Sequence, residues 1–451
     1  MSERIFKRKI YDKMLKWKTE SNGKYALLIE GARRVGKSTI AETFAKEQYE
    51  DYLIIDFASA GEQIIELFNH ISDLNRFFLG LQTLTNKILK PRKSVIIFDE
   101  VQFCPMARQA IKYLVKDGRY DYIETGSLIS IKKNVSNILI PSEEYRLTMN
   151  PMDFEEFLWA TGKSPEYELI RYSFENLEGL GDAMNRAIMY DFRLYMLVGG
   201  MPQSVNAFIE TNDFAKVDFV KRNIISLYDA DFRKIDPLGR ASTIFNHIPS
   251  ELSRGATRYK VGSVIEGAKP SRLGELFADI ADSKTVNLSF HANDPSPAMG
   301  LNADRDCFKI YMADTGLFVT LAFLGSDYVE NEIYRKLIAD KMPANLGYVY
   351  ENVVAQMLVA AGRSLFYYTF KERPSQDSLS EQTYEIDFLI AKGQKICPIE
   401  VKSSGYKSHK SIDRFMEKFS ERISTPVLLY TKDLRKEKDI LCLPVYMAGL
   451  L

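Results

Sequence analysis

Cysteine and histidine are scarce in this chain. Four cysteines (Cys104, Cys307, Cys397 and Cys442) are spread along 451 residues with no CxxC pair. That excludes a disulfide framework and a zinc ribbon, and it suits a reducing, cytoplasmic setting. Only four histidines occur, none at metal-ligand spacing from another, so they read as ordinary surface or core residues. No apolar run approaches the length of a membrane span. The opening stretch MSERIFKRKIYDKMLKWK is basic but lacks the unbroken apolar core of a signal peptide. Ile10, Tyr11, Met14 and Leu15 fall on one helical face, which predicts a helix docked on the domain that follows; a membrane-surface helix is the alternative. An excess of one charge is missing too. Sixty basic and sixty acidic side chains cancel, so contact with nucleic acid has to come from local patches rather than from a global field. There is no internal repeat and no low-complexity segment.

What is present begins with length: 451 residues exceed what one hydrophobic core supports, and two to three domains are expected. Tyr25 to Glu30, YALLIE, is a short apolar run of the kind that forms a buried parallel strand. It leads into GARRVGKST, in which Gly31, Gly36, Lys37 and Ser38 fit G-x-x-x-x-G-K-[ST]. Glycines at that spacing let the loop curl so that backbone N–H groups face phosphates at the positive end of the next helix. Lys37 would reach the β- and γ-phosphates and Ser38 would hold Mg²⁺. Arg34 and Thr39 lie in the same loop and at the helix start, and count as nucleotide-binding positions with them. The ligands expected are ATP and Mg²⁺.

Two further apolar strands follow, DYLIIDF (51–57) and SVIIFDE (94–100). The second ends in Asp99 and Glu100. There Asp99 would hold Mg²⁺ through water, while Glu100 would orient or deprotonate the attacking water. A fourth strand, YDYIETGS, ends in Thr125, Gly126 and Ser127, whose hydroxyls are placed to sense the γ-phosphate or the lytic water. The bland alternative is a glycine turn beside an unrelated acidic strand end.

The ordered series of motifs resembles the AAA-like ATPases of archaea and bacteria that carry a C-terminal region with a restriction-endonuclease-like fold. The matching features are GARRVGKST, IIFDEVQ, ETGS, the arginine-bearing strand EYRLTMNPMDFEEFL, GGMP at Gly199 to Pro202, and YMADTGL at Tyr311 to Leu317. Many relatives have Gly-Arg where this chain has Tyr145-Arg146. The resemblance implies that Arg146 senses the γ-phosphate; a surface ion pair is the other reading. It also implies a helical lid, and Tyr167 to Phe245 has the matching three- and four-residue apolar spacing. GGMP would be a turn, with Pro202 opening the next helix. Arg233, in the mixed run YDADFRKID, could act on a neighbouring copy's nucleotide but reads more simply as part of a solvated face.

SELSRGATRYKVGSVIEGAKPSRLGELFADI then shows two helical patterns, with Leu273, Leu276, Phe277 and Ile280 on one face. The strands TVNLSF and CFKIYMAD follow like a wing. Arg254, Arg258, Lys260, Lys269 and Arg272 make the stretch locally basic, as a DNA-contacting winged helix would be; an intramolecular packing unit is the alternative. Charged residues dominate from Ser326 to Pro343, where a boundary is expected.

The back of the chain reads helix (Gly347 to Ala361, carrying Glu351), strand SLFYYTF, strand TYEIDFLI, strand ICPIEVK. That order, with Glu351, Asp387, Glu400 and Lys402, resembles the PD-(D/E)xK nucleases, with Ile386 where the usual proline stands. Residues two apart on a strand face one side, so Glu400 and Lys402 converge. Asp387 and Glu400 would ligate Mg²⁺, Lys402 would position water or stabilise developing charge, and Glu351 would complete the metal shell or orient Lys402. Tyr406, Lys407, His409 and Lys410 could meet phosphates. A salt-bridge cluster at a sheet edge, or a nuclease fold that only binds, remain alternatives.

The expectation is therefore an α/β chain in three parts. Residues 1–160 form a P-loop NTPase parallel sheet of AAA-like type, 161–330 a helical lid and winged-helix region, and 331–451 a PD-(D/E)xK-type domain. It is expected to bind and hydrolyse ATP and to act on DNA, with a Mg²⁺-dependent nuclease site at the C-terminus. DNA is the expected partner, a homo-oligomer is compatible, and a membrane is not expected. The alternative is a nucleotide-controlled switch or scaffold whose last domain only binds DNA or protein. A small-molecule kinase fits worse, because nothing past Glu100 suggests an acceptor pocket.

Overall fold

The computed structural model of the chain describes residues 4–126, 141–324, 334–335, 338–339, 347–373, 380–404 and 409–451. They gather into two compact units, Met1–Asn150 with Asp282–Lys284, and Pro151–Ala281 with Thr285–Leu451.

The first unit is built on five strands: β1 (Ala26–Glu30), β2 (Asp51–Asp56), β3 (Ser94–Asp99), β4 (Asp121–Gly126) and β5 (Glu144–Thr148). Their spatial order is β2-β3-β4-β1-β5, and every pairing is parallel. A parallel sheet is covered on both faces, which is why β1 is buried at all five positions and needs a continuous apolar run. The expected N-terminal helix spans Ile10–Ser21 and buries Ile10, Met14 and Trp17. Its Trp17 Nε1 donates to the Tyr25 carbonyl at 3.1 Å, and Tyr11 meets the Phe44 ring edge-on at 5.3 Å. Docking within the unit accounts for this helix.

Charge is buried on one face of the sheet. Arg108, on the helix Pro105–Asp117, donates from Nε and Nη2 to the two oxygens of Glu144 at 2.9 and 3.0 Å. Glu124 on β4 is fully buried, and neither of its carboxyl oxygens has a hydrogen-bond partner. Burial, then the nearby Glu144, pushes its pKa well above the usual range, against the pull of Arg108 and Arg146. A carboxyl whose folded pKa is raised stabilises the fold below its unfolded pKa and loses that contribution as pH rises. Glu124→Gln should therefore flatten the fall in stability that wild type shows as pH rises above the ordinary carboxyl range, leaving the variant the more stable at the alkaline end. Thermal unfolding at several pH values checks this, and parallel curves for the two proteins would refute it.

The second unit pairs a helical region with a mixed sheet. The helices Ser164–Asn176, Asp182–Val198, Pro202–Thr211 and Phe214–Ile235 occupy the stretch whose spacing predicts helix, and Pro202 opens its helix as expected. The sheet strands are β6 (Val286–Ala292), β7 (Ala303–Met312), β8 (Leu365–Glu372), β9 (Gln382–Lys392), β10 (Lys395–Lys402), β11 (Val427–Tyr430), β12 (Arg435–Glu437) and β13 (Ile440–Pro444). Their order is β12-β13-β11-β10-β9-β8-β6-β7. The strands read as a wing do form an antiparallel hairpin, β6–β7, and β6 also pairs in parallel with β8. The hairpin is thus the edge of the same sheet that carries the C-terminal strands. The helical pattern before it resolves into Ile248–Ser253, Val261–Val264 and Gly274–Asp282, with Leu273, Leu276, Phe277 and Ile280 buried as the spacing predicts. Most of the charged stretch 326–343 lies outside the described residues.

GGMP and YMADTGL meet each other. A Cβ on Gly316 would land on the backbone of Gly199, and one on Gly199, whose φ is +82°, would strike the Asp314 carboxylate. Asp314 accepts from the Gly200 N–H at 2.6 Å and, as N-cap of the helix Thr315–Ala322, from the Leu317 N–H at 2.8 Å. Beside this contact Lys221 is fully buried. Its Nζ donates to the carbonyls of Leu197 (2.7 Å) and Gly316 (3.2 Å) and to the Tyr334 hydroxyl (3.0 Å), and burial pulls its pKa down to about 8. Gly316→Ala forces two backbones apart, so it should cost about 3 kcal/mol or more. Denaturant unfolding will read that loss, and a near-neutral result would show that the contact is slack.

Candidate functional site

The phosphate loop is shaped by two left-handed residues. Gly36 has φ +98° and Arg34 +72°, and the first suits glycine because it lacks a Cβ. Gly31 has no room for a side chain either, since a Cβ there would sit on the Met149 carbonyl. Lys37 opens the helix Lys37–Gln48 and is buried. Its Nζ donates to the carbonyls of Gly31 (3.1 Å) and Ala32 (3.0 Å). Burial lowers its pKa, with Glu100 and Asp99 opposing. Arg34 is exposed and Thr39 half-buried; the Thr39 carbonyl accepts from Thr43 Oγ1 at 2.8 Å.

Asp99, at the end of β3, is the hub. Its Oδ1 accepts from Ser38 Oγ at 2.8 Å and from Thr125 Oγ1. Thr125 in turn accepts from the Glu100 N–H at 3.3 Å, and the Glu100 carboxylate accepts from Gln102 Nε2. Glu100 itself is in the left-handed region, φ +53°. Ser38, Asp99 and Glu100 are therefore brought together as the motif spacing requires. A hydroxyl beside one carboxylate, at a helix N-terminus, suits Mg²⁺, which keeps most of its waters and takes one or two protein ligands. Sequence reasoning missed Gln102 and Arg8. Arg8 is buried and donates to the carbonyls of Val35 (2.9 Å) and Asn150 (2.6 Å), so an arginine from the N-terminal segment props the loop. Arg146 is paired with Glu144 on its own strand at 3.1 Å, with its side chain 45% exposed. Ser127 lies outside the described residues.

In the second unit β9 and β10 form the expected hairpin, with Phe388 opposite Ile399, which sets Asp387 beside Glu400. Asp387 Oδ2 accepts from the Val401 N–H at 2.7 Å. Glu400 is buried; one of its oxygens pairs with Lys402 Nζ at 2.8 Å, and the other has no hydrogen-bond partner. The helix Gly347–Ala360 brings in Glu351. Burial pulls the Lys402 pKa down, but Glu400, Asp387 and Glu351 outweigh it and hold the ammonium above its usual value. Burial raises the Asp387 carboxyl well above the usual range, with Glu351 adding to the rise and Lys309 opposing it. The four C-terminal residues named from sequence share one cluster.

Three further members were not legible. Lys309 and Tyr311 come from β7, and Glu385 from β9. Lys309 is ion-paired to Glu385 and lies 3.6 Å from a Glu351 oxygen; the Tyr311 hydroxyl donates to that same oxygen at 3.5 Å. Four carboxylates thus face two ammonium groups. Among the described residues no three His, Cys, Asp or Glu side chains are arranged to hold a metal ion. The cluster, with its carboxylates turned to lysines and a backbone N–H, does not fit a divalent cation as it stands. Of the following residues, His409 Nδ1 is 2.9 Å from Asp413, Lys410 is exposed, and Tyr406 and Lys407 lie outside the described residues. Arg233 pairs with Asp229 at 2.8 Å, and Arg254 with Glu251 at 2.6 Å.

Residues 23–158 match the family model described as "AAA domain". The front of the chain is an AAA-type P-loop ATPase domain. Two other models match, for residues 189–328 and 346–447, each described only as a domain of unknown function. No curated protein matches the chain. Among solved structures, a Walker-type ATPase of Pyrococcus abyssi is similar at 17% identity, with 71% of this chain and 97% of that one covered and a TM-score of 0.40. The RuvB Holliday junction branch migration motor of Thermotoga maritima is similar at 13% identity, with 61% and 87% covered and a TM-score of 0.28. Cdc6p of Pyrobaculum aerophilum is similar at 10%, with 76% and 97% covered and a TM-score of 0.26. No described helix is long and apolar enough to cross a membrane.

Within the AAA-type domain, Lys37→Ala removes the buried ammonium at the loop and should lower ATP turnover by about a hundredfold or more. Thr125→Val deletes the hydroxyl between Asp99 and Glu100. It should cost about tenfold in turnover, the worth of one hydrogen bond in the transition state, with little change in nucleotide affinity. Steady-state ATPase rates with a fluorescent-nucleotide binding curve test both, and full activity in Lys37→Ala would misplace the site.

Proposed function

We propose that this protein binds and hydrolyses ATP with Mg²⁺ and uses that cycle to act on DNA through its second unit. The observation that carries the first half is the Ser38–Asp99 contact at 2.8 Å, next to a buried Lys37. Mg²⁺ supplies neutralisation of phosphate charge when nucleotide is bound. Ser38 and Asp99 would hold it, the loop N–H groups and Lys37 would bind the phosphates, and Glu100, restrained by Gln102, would accept the proton of the attacking water. The DNA half is supported by the shared cluster of Glu351, Asp387, Glu400 and Lys402, in the order that resembles PD-(D/E)xK nucleases. The exposed Arg254, Arg258, Lys260, Lys269 and Arg272 add local positive charge of the kind that contacts phosphates.

A second reading has its own observation. Glu400 is committed to Lys402, and Lys309 holds Glu385 and approaches Glu351, which favours a nucleotide-controlled unit that binds DNA or protein without cutting. Incubating the full chain with plasmid, single-stranded and branched DNA in Mg²⁺ or Mn²⁺ separates the two. Under the cutting reading nicks appear, and Lys402→Ala abolishes them while ATP hydrolysis stays intact. Under the binding reading no nicks appear, and DNA still shifts in a gel and raises the ATPase rate by about twofold or more. If DNA neither shifts nor changes the ATPase rate, the DNA half of the proposal falls.

A further inference from the structure

Lys309 enters the C-terminal cluster from a strand 42 residues before Glu351 and 76 before Glu385, outside the family match that covers residues 346–447. It is almost fully buried, and so its charge has to be answered by its neighbours. Those neighbours are the ion-paired Glu385, Glu351 at 3.6 Å, and the Tyr367 ring, whose centroid is 5.5 Å from Nζ. The second ammonium, Lys402, is different. Its side chain is 33% exposed against 5% for Lys309, so it can turn outward while Lys309 cannot. A divalent cation in such a cluster would need two or three carboxylate oxygens converging on a point with water around it. Here one oxygen of Glu351 and one of Glu385 converge on the Lys309 ammonium, while Asp387 accepts from the Val401 N–H and Glu400 pairs with Lys402.

We infer that Lys309 is the resident cation of this cluster, its ammonium standing where a metal-dependent site would hold a divalent ion. Lys402 is then the group left to meet an incoming phosphate. The inference rests on reading the cluster as phosphate-facing, and it assigns that cluster to metal-independent binding of a polyanion rather than to cleavage.

The test is Mn²⁺ uptake by the nucleotide-free full chain, followed by the loss of the free-ion electron paramagnetic resonance signal. Wild type and Asp387→Asn should take up Mn²⁺ identically, which places no ion at the cluster. Lys309→Ala should lose several degrees of thermal stability, take up one additional Mn²⁺, and regain stability when the ion is added. Uptake by wild type that Asp387→Asn abolishes would overturn the inference, and so would a folded Lys309→Ala that gains no ion. Should Lys309→Ala fail to fold, the comparison of wild type with Asp387→Asn decides alone. No DNA is present in this experiment, so loss of the DNA reading and loss of the cation assignment show up separately. ATP hydrolysis by the same preparations reports on the front site independently.

Discussion

The second unit is organised around two glycines whose backbones touch. Gly199 follows the helix Asp182–Val198 and Gly316 is the second residue of the helix after β7, and neither has room for a Cβ. An approach that close leaves N–H groups without space for water, and Asp314 supplies the acceptor for two of them. Lys221 does the matching task for carbonyls, tying Leu197 to Gly316. Asp218, four-fifths of a helical turn away, accepts from Thr320 and Tyr334 at 2.8 and 2.9 Å. The polar groups around the contact are therefore satisfied from inside the protein, as burial demands. This fixes where β7 ends. Because β7 carries Lys309 and Tyr311, the glycine contact also fixes what reaches the acidic cluster.

The two candidate sites handle buried charge in different ways. At the front, Lys37 is held by the carbonyls of its own loop, contacts that a triphosphate can replace because they are local and weak. Asp99 is likewise held by two hydroxyls, from Ser38 and Thr125, rather than by a cation. Charge there is arranged to be exchanged. At the back, Lys309 is buried against carboxylates, and breaking a buried pair leaves an uncompensated charge that is costly. Charge there is arranged to stay.

Legibility in the sequence follows from distance along the chain. The first four front strands, the phosphate loop and the Asp99–Glu100 strand end could be read because each is a local pattern: an apolar run, glycines at fixed spacing, acids after a strand; β5, mostly exposed, was reached only through the family resemblance. Asp387, Glu400 and Lys402 were readable for the same reason, since a short hairpin joins them. Lys309 and Tyr311 were not. They look like ordinary alternation in CFKIYMAD, and only the parallel pairing of β6 with β8 carries their strand to the acids. Glu385 was hidden differently, because two acids on one strand gave no reason to prefer either beyond the motif. The wing-like reading of β6–β7 captured the hairpin and missed its neighbour, as local spacing says nothing about which sheet an edge strand joins. GGMP and ADTG were visible as motifs, but that they answer each other could not be read from either. Arg8 shows the same limit, a basic residue in a basic run whose task is to hold two carbonyls far along the chain.

If Lys309 is the cluster's cation, control of the second unit cannot come from metal supply. A covalently attached ammonium is present at every metal concentration and leaves only when β7 moves. The position of β7 is set by the Gly199–Gly316 contact, which joins it to the helix Asp182–Val198 and to the helix Pro202–Thr211 that follows. Under the proposed function, any signal from ATP turnover would therefore have to pass as a change in backbone placement rather than as a change in charge. Close-packed glycine backbones suit that, because they have few intermediate arrangements and resist gradual deformation.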